Sequence, residues 1–311
     1  MDFKVLGLGT AAMDIVLQCE ELPREDGFSF IHDEQLLPGG SCANVLVALT
    51  KLGVKTSLIA QMGDEYYGKA LLGDLARAGV DIKNVFIKPN GSSLHTFITI
   101  ARNGKKAIFA NLGDSLLSLS AELVTEEMLK DVNVFYTDMF PGKPALKLAK
   151  MCKNKNIIVA FNLECSPAFM ELCQVTRNEL DEMLSMADVI FSCREGLLEM
   201  TGEEDILTAG KKVYAQYRPA QGLLFTVGEK GTLGFFKDQI LEVNAFRVQA
   251  IDTTGAGDAF TGGYIYARYA KGMGTKESIT FANACAAKKC TQYGARLNVT
   301  EEEINQMIRG N

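Results

Sequence analysis

The sequence predicts an α/β fold in which a mostly parallel sheet is covered by helices and carries one small, mainly antiparallel sheet beside it. Three observations support this. Short β-rich runs alternate with helical patterns through most of the 311 residues, which is the rhythm of a parallel sheet with crossover helices. Apolar residues make up 47% of the chain, enough for one large domain with a substantial core. Two stretches, 28–37 and 94–110, break the rhythm, and the second places Asn103-Gly104 between two β-rich runs, a strong hairpin signal.

The elements follow in order. Residues 4–17 (KVLGLGTAAMDIVL) read as an apolar, buried strand segment in which Gly7 and Gly9 allow close backbone approach. Asp14 stands at its end, where a carboxylate faces either solvent or a ligand. Residues 41–53 (SCANVLVALTKLG) place Val45, Ala48, Leu49 and Leu52 at helical spacing, with Gly39-Gly40 before them, Ser41 as the expected N-cap and Gly53 as the stop. Strand patterns follow at 56–62, 131–138, 157–162, 188–192 and 223–227, and helical patterns at 65–78, 143–153 and 204–217. The last third closes with helical patterns at about 256–270, 275–292 and 301–309. With no internal repeat and no low-complexity linker, residues 1–311 are expected to form one domain, with a lid made from about 14–37 and 92–112.

Composition narrows the function classes. Basic residues number 32 against 38 acidic ones, a net charge of −6, and no run of Lys or Arg forms a stripe, so nucleic acid is not an expected partner. The eight cysteines contain no C-x-x-C pair and are read as reduced thiols. His32 and His95 are the only histidines and lie far apart, which argues against a His-rich metal site. No apolar run is long enough to span a bilayer, and residues 1–5 lack a basic leader pattern, so the reading is a cytoplasmic protein without membrane contact.

The chemistry is concentrated in residues 252–263, DTTGAGDAFTGG, a Gly-rich turn that opens an apolar helix. N–H groups in a first helical turn lack internal partners and sit at the positive end of the helix dipole. Gly255 and Gly257 let phosphate oxygens approach the backbone. Asp258 follows directly. An isolated acidic residue there would simply complement the dipole, but beside an anion site a carboxylate suits proton removal from a hydroxyl that attacks a phosphoryl group. A Rossmann fingerprint would need glycine where Phe260 stands, and a Walker A loop would need Gly-Lys-Ser/Thr, which is absent.

At these residues the chain resembles the ribokinase-like (PfkB) sugar and nucleoside kinases, whose C-terminal signature DTTGAGDAFTGG matches almost residue for residue. LPGGSCANVLVALTKLG at 37–53 is similar to the family's N-terminal Gly-Gly motif. The resemblance implies a three-layer ribokinase-like sandwich with a small β-sheet lid, and an ATP- and Mg²⁺-dependent kinase acting on a small sugar-like substrate. It implies Asp258 as the base and Gly255, Ala256 and Gly257 as the anion hole. Asp14, Gly39, Gly40 and Asn44 fall at substrate-binding positions, and Thr226, Gly228 and Gly231 of TVGEKG at positions bordering the nucleotide. Asp252 and Thr254 match a monovalent-cation site, which makes K⁺ a further candidate ligand.

One departure stands out. Where the family has Asn-x-x-Glu, this chain has Cys193-Arg194-Glu195-Gly196, leaving Glu195 as the substitute carboxylate near metal and phosphates. The expected function is phosphorylation of a hydroxyl of a sugar or sugar acid. The alternatives are a nucleoside kinase of the same family, or a catalytically weak sugar- or nucleotide-binding regulator, the latter motivated by the missing pair. A homodimer through the lid is also expected.

Overall fold

The computed structural model describes residues 2–310. In chain order its elements are β1 (Lys4–Leu8), β2 (Ala12–Cys19), β3 (Ile31–Gly39), α1 (Ser41–Lys51), β4 (Lys55–Gly63), α2 (Tyr66–Ala78), β5 (Val85–Lys88), β6 (His95–Ala101) and β7 (Lys106–Asn111). There follow β8 (Val134–Thr137), α3 (Gly142–Asn154), β9 (Ile158–Leu163), α4 (Pro167–Leu172), α5 (Arg177–Met186), β10 (Val189–Ser192), α6 (Arg194–Thr201) and α7 (Ile206–Tyr217). The chain closes with β11 (Gly222–Thr226), β12 (Thr232–Phe236), β13 (Gln239–Val243), α8 (Ala256–Ile265), α9 (Thr275–Cys290) and α10 (Glu301–Arg309).

The large sheet has nine strands in the order β13-β12-β11-β10-β9-β8-β1-β4-β5. Every pairing from β5 across to β11 is parallel, and β12 and β13 add an antiparallel edge. Apart from the edge strand β5, its parallel strands are almost wholly buried, β8 and β10 on every residue, as expected of a sheet covered on both faces. Val45, Leu49, Tyr264 and Phe281 belong to the core on one face, and Leu148, Leu180, Val213 and Phe161 to the core on the other. That is a three-layer sandwich. The chain leaves β1 toward β4 on one side and returns to β8 on the other, so the crevice between the carboxyl ends of β1 and β8 is the switch point where open α/β sheets bind ligands.

The second sheet, β3-β2-β6-β7, is separate. β2 runs antiparallel to β3 and parallel to β6, and β6-β7 is the hairpin turned at Asn103-Gly104, with Gly104 at φ 79°. Residues 4–17 are therefore not one strand. The chain breaks at Gly9-Thr10-Ala11 and passes from the large sheet to the small one. A Cβ on Gly9 would collide with the carboxylate of Asp138, so the first residue of this break must be one without a side chain.

Helix α8 sits between α1 and α9, and two adjacent glycines permit it. A Cβ on Gly262 would lie 3.0 Å from the Cβ of Ala48 in α1. One on Gly263 would lie 2.8 Å from the sulfur of Cys285 in α9. The carboxyl half of α8 is thus held close to both neighbours. Among the described residues no helix is long and apolar enough to cross a membrane, and all eight cysteines are free.

Candidate active site

The site assembles where strands of the large sheet end. Gly9 and Thr10 follow β1, Asp138 follows β8, Glu164 follows β9, Cys193 follows β10 and Thr226 ends β11. Asp138 is fully buried and saturated: its Oδ2 accepts from the N–H and hydroxyl of Thr10 at 2.9 and 2.6 Å and from the N–H of Cys42 at 3.2 Å. Its Oδ1 accepts from the N–H of Phe140 at 3.2 Å. It therefore ties two strand ends to the start of α1.

That start differs from the sequence expectation. The cap of α1 is Gly40, at φ 89° with its Cα against the backbone of Ala11 and Ala12, where no Cβ fits. Ser41 is the first helical residue and does not cap. Its hydroxyl instead donates to Oδ1 of Asp258 at 2.8 Å, and the amide nitrogen of Asn44, one turn on, donates to Oδ2 of Asp258 at 2.8 Å. Both carboxylate oxygens are held by the helix that follows Gly39-Gly40. The buried Oδ1 of Asn44 has no partner, and Asn44 borders neither cavity.

Asp14 lies on β2 of the small sheet, its Oδ1 accepting from the hydroxyl of Thr96 on β6 at 2.5 Å. Burial raises its carboxyl above the usual range, with Thr96 opposing. Gly39 pairs opposite Ala12, and its lack of a Cβ makes room for the Asp14 carboxylate, whose Oδ2 would be 2.6 Å from one. Asp14, Gly39, Gly40 and Asn44 thus form one line from the small sheet toward Asp258.

Gly255 caps α8 in the left-handed region, φ 75°, and its Cβ would strike the carbonyl of Ala295. The N–H of Ala256 turns back to the carbonyl of Thr253 at 3.2 Å, whereas among the described residues the N–H groups of Gly257 and Asp258 meet no acceptor. Two cavities adjoin this turn. One, of about 350 Å³, is lined by Asp258, Ser41, Asn162, Glu164 and Thr226. The other, of about 860 Å³, is lined by Thr226, Gly228, Gly231, Phe246 and Arg247. Ala256, Gly257, Thr226 and Thr253 border both. Cβ atoms added to Gly257 and Gly228 would meet nothing within 4 Å, so each would project into open space where a polyphosphate has room to approach the backbone.

Three carboxylates converge here. Burial pushes Asp258, Asp138 and Glu164 all above the usual carboxylate range. For Asp258 the opposing influences are Asn44, Ser41 and the charge of Lys289. A carboxylate made more basic, yet held by two donors, is suited to accept a proton.

The residues at the departure lie differently from the polar pair they replace. The sulfur of Cys193 caps α6 by accepting from the N–H of Gly196 at 3.2 Å, and a Cβ on Gly196 would lie 2.9 Å from the carbonyl of Cys165. Glu195 is exposed on the first turn of α6 and borders neither cavity. Beside Asp258, the smaller cavity's wall carries a second carboxylate, Glu164, from the neighbouring strand end. Among the described residues no group of three His, Cys, Asp or Glu side chains is placed to hold a metal ion.

Asp252 and Thr254, the candidate monovalent-cation residues, sit before the turn, and the structure adds a residue that sequence reading missed. Lys289 of α9 is fully buried and donates to the carbonyl of Asp252 at 2.7 Å. The signal was available: Lys289 falls four residues after buried Cys285, on the apolar face of its helix.

A family profile described as "pfkB family carbohydrate kinase" matches residues 2–302. Fructokinase-1 of Zea mays is 28% identical over 291 residues, covering 87% of this chain and 88% of its own. An ATP-dependent ribose-1-phosphate kinase of Halopiger xanaduensis is 26% identical over 301 residues, covering 97% and 96%. In fold, the chain matches the ribokinase of Thermotoga maritima with a TM-score of 0.85 at 22% identity, covering 99% of each chain. A ribokinase of Arabidopsis thaliana complexed with ribose and ATP matches with a TM-score of 0.84 at 21% identity, covering 99% of each.

Proposed function

Because the chain belongs to the pfkB family of carbohydrate kinases, we propose that it transfers the terminal phosphoryl group of ATP to a hydroxyl of a small sugar or sugar acid, with Asp258 as the general base. The observation that carries this reading is the position of Asp258: it is held by Ser41 and Asn44 at 2.8 Å each, on the turn that separates the two cavities. ATP fits the larger cavity, with its polyphosphate over Gly228 and Gly257. Mg²⁺, bound with the nucleotide, would neutralise charge on the phosphates; Glu164 on the wall of the adjoining cavity is a carboxylate that could take part in its water shell.

The chain's own groups supply the rest. Asp14 and Asn44 bind and orient substrate hydroxyls, the small sheet excludes water as a lid, and Asp258 takes the proton of the attacking hydroxyl. The free N–H groups of Gly257 and Asp258 stabilise charge on the phosphoryl oxygens as it develops. An unphosphorylated substrate is favoured over a phosphorylated one. Ser41 is committed to Asp258, Cys42 is buried, and Arg102 at the hairpin tip is paired with Glu20 at 2.9 Å.

The test is ADP release across pentoses, hexoses, sugar acids and nucleosides with Mg²⁺. Substrate-dependent release that falls by about 10² or more in Asp258→Asn is the expected result. The apolar cap at Cys193 and Gly196 motivates a second reading, a weakly catalytic regulator. Ligand binding without turnover anywhere on the panel would favour it over the kinase.

The small sheet also motivates a homodimer. Leu36, Ile15, Phe97 and Phe109 are aligned across its four strands on the face opposite Asp14. Phe109 is 70% exposed, and Leu36 and Phe97 36% each. Ile15 is already buried at 2% exposure, and a second copy covering Leu36, Phe97 and Phe109 would bury the rest of the row.

A further inference from the structure

We propose that the ammonium group of Lys289 occupies the place of a monovalent cation, so that this chain orders its phosphate-binding turn without potassium. The inference rests on the kinase reading of the Gly255–Gly257 turn and concerns how that turn is held.

Lys289 has no exposed side-chain surface, and its Nζ is surrounded by oxygen. It donates to the main-chain carbonyl of Asp252 at 2.7 Å and to that of Gln292 at 3.4 Å, and lies 3.9 Å from Oδ2 of Asp252. Two carbonyls and a carboxylate are the hard-oxygen set that an alkali cation would seek. Here they surround an ammonium. The Asp252 carboxylate is otherwise committed, Oδ1 to the N–H of Thr254 at 2.9 Å and Oδ2 to the N–H of Gly294 at 3.0 Å. A free cation among these oxygens would coincide with Nζ. The residues present do not fit potassium, and the cation site expected at Asp252 and Thr254 is already filled from within the chain.

The position has a consequence for the turn. Lys289 joins residue 252, just before the Gly-rich turn, to residue 292, just after α9. The same two segments touch again three residues further along each, where Gly255 packs on the carbonyl of Ala295 too closely for a Cβ. Pinning Asp252 and Gln292 together therefore fixes the path of the backbone into Gly255 and the direction of the Gly257 and Asp258 amides. A bound cation would do this at an entropic and concentration-dependent cost. A tethered ammonium does it permanently, and it leaves a positive charge behind an anion site whose wall carries Asp258 and Glu164. Lys289 is thus a positioning residue.

The experiment compares KCl with tetramethylammonium chloride at equal ionic strength and reads three quantities: the MgATP dissociation constant, kcat on the active substrate, and the thermal midpoint. Wild type should agree within about twofold between the salts, and Lys289→Met should bind MgATP about tenfold or more weakly in tetramethylammonium, the loss expected from removing charged hydrogen bonds. KCl or NH₄Cl should restore a good part of that loss in the variant and raise its thermal midpoint. A wild type that potassium activates tenfold would overturn the proposal, as would a Lys289→Met protein equally impaired in every salt, which marks a purely structural lysine. Should Lys289→Met fail to fold, the salt comparison on wild type still decides. Absence of turnover and nucleotide binding under all conditions would refute the kinase reading, while the midpoints of both proteins would still report on the cation.

Discussion

The amide nitrogen of Asn44 and the carboxylate of Asp258, 214 residues apart in the chain, meet at 2.8 Å. The contact joins the two glycine-rich motifs, because Asn44 lies one turn beyond Gly40 and Asp258 one residue beyond Gly257. It also bears on the protonation of Asp258. Asn44 donates to the ionised form and so holds the Asp258 carboxyl down against the burial that raises it.

Removing that donor should be visible in the pH dependence. In Asn44→Ala the Asp258 carboxyl rises further, so it ionises only at higher pH and the acid limb of kcat/KM moves upward. Loss of one hydrogen bond to a charged group, about 1.5–3 kcal/mol, predicts a fall in kcat/KM of about ten- to a hundredfold at neutral pH. A pH–rate profile between 5 and 8 checks both; an unmoved limb would separate Asn44 from the base.

Gly257→Ala should divide stability from affinity. The new Cβ meets no protein atom within 4 Å, and alanine is favoured over glycine in a helix by about 1 kcal/mol. The thermal midpoint should therefore hold or rise slightly. The methyl nevertheless enters the space shared by both cavities, so MgATP should bind about tenfold or more weakly, a cost of about 1.4 kcal/mol or more. Titration calorimetry beside scanning calorimetry distinguishes this from unfolding, and undiminished affinity would remove the phosphates from Gly257.

Glu164→Gln tests the carboxylate cluster. Burial raises the Glu164 carboxyl well above its ordinary value, with the Asp138 charge adding to it and Ser41 opposing. The folded state thus binds a proton that the unfolded state has released. Its stabilising contribution is full below the unfolded value near 4.5 and is lost as pH climbs through the folded value. Glutamine carries no such loss, so the variant's advantage in thermal midpoint without ligand should grow from pH 4.5 to 7.5 by about 2–4 °C. A pH-independent difference would place Glu164 in water.

The outer row on the small sheet predicts association. Light scattering should give twice the chain mass of 33.9 kDa, and Phe109→Glu should halve it while leaving the fold intact, since Phe109 is 70% exposed. A wild type that stays monomeric at high micromolar concentration would leave the row without a second copy.

Much of this architecture was legible because it depends on local rules. Helix α9 and the strands around 56–62 and 223–227 announce themselves by period and by glycine punctuation. The turn at 255–257 is legible as an anion site because glycine and a helix start suffice to make one. What was not legible depends on partners remote in sequence. Ser41 has the residue type of an N-cap, and only the approach of α8 reveals that its hydroxyl serves Asp258. Residues 4–17 read as one apolar segment because the apolar pattern hardly changes where the chain passes from one sheet to the other. The hairpin β12-β13 and the short β5 were missed because edge strands of four or five residues carry little periodic signal. Lys289 and Glu164 acquire meaning only when strand ends and helices converge, although a lysine on the apolar face of α9 was a visible anomaly.

The two glycines on α8 have unequal duties. Gly262 faces Ala48 and so governs how near α1 brings Asn44 to Asp258; Gly263 faces Cys285 and so governs how near α9 brings Lys289 to Asp252. Neighbouring positions thereby address separate contacts, the Asn44–Asp258 hydrogen bond on one side of the helix and the Lys289–Asp252 contact on the other. On the proposed reading, the α9 contact alone sets any reliance on dissolved salts, independently of the contact between α1 and Asp258.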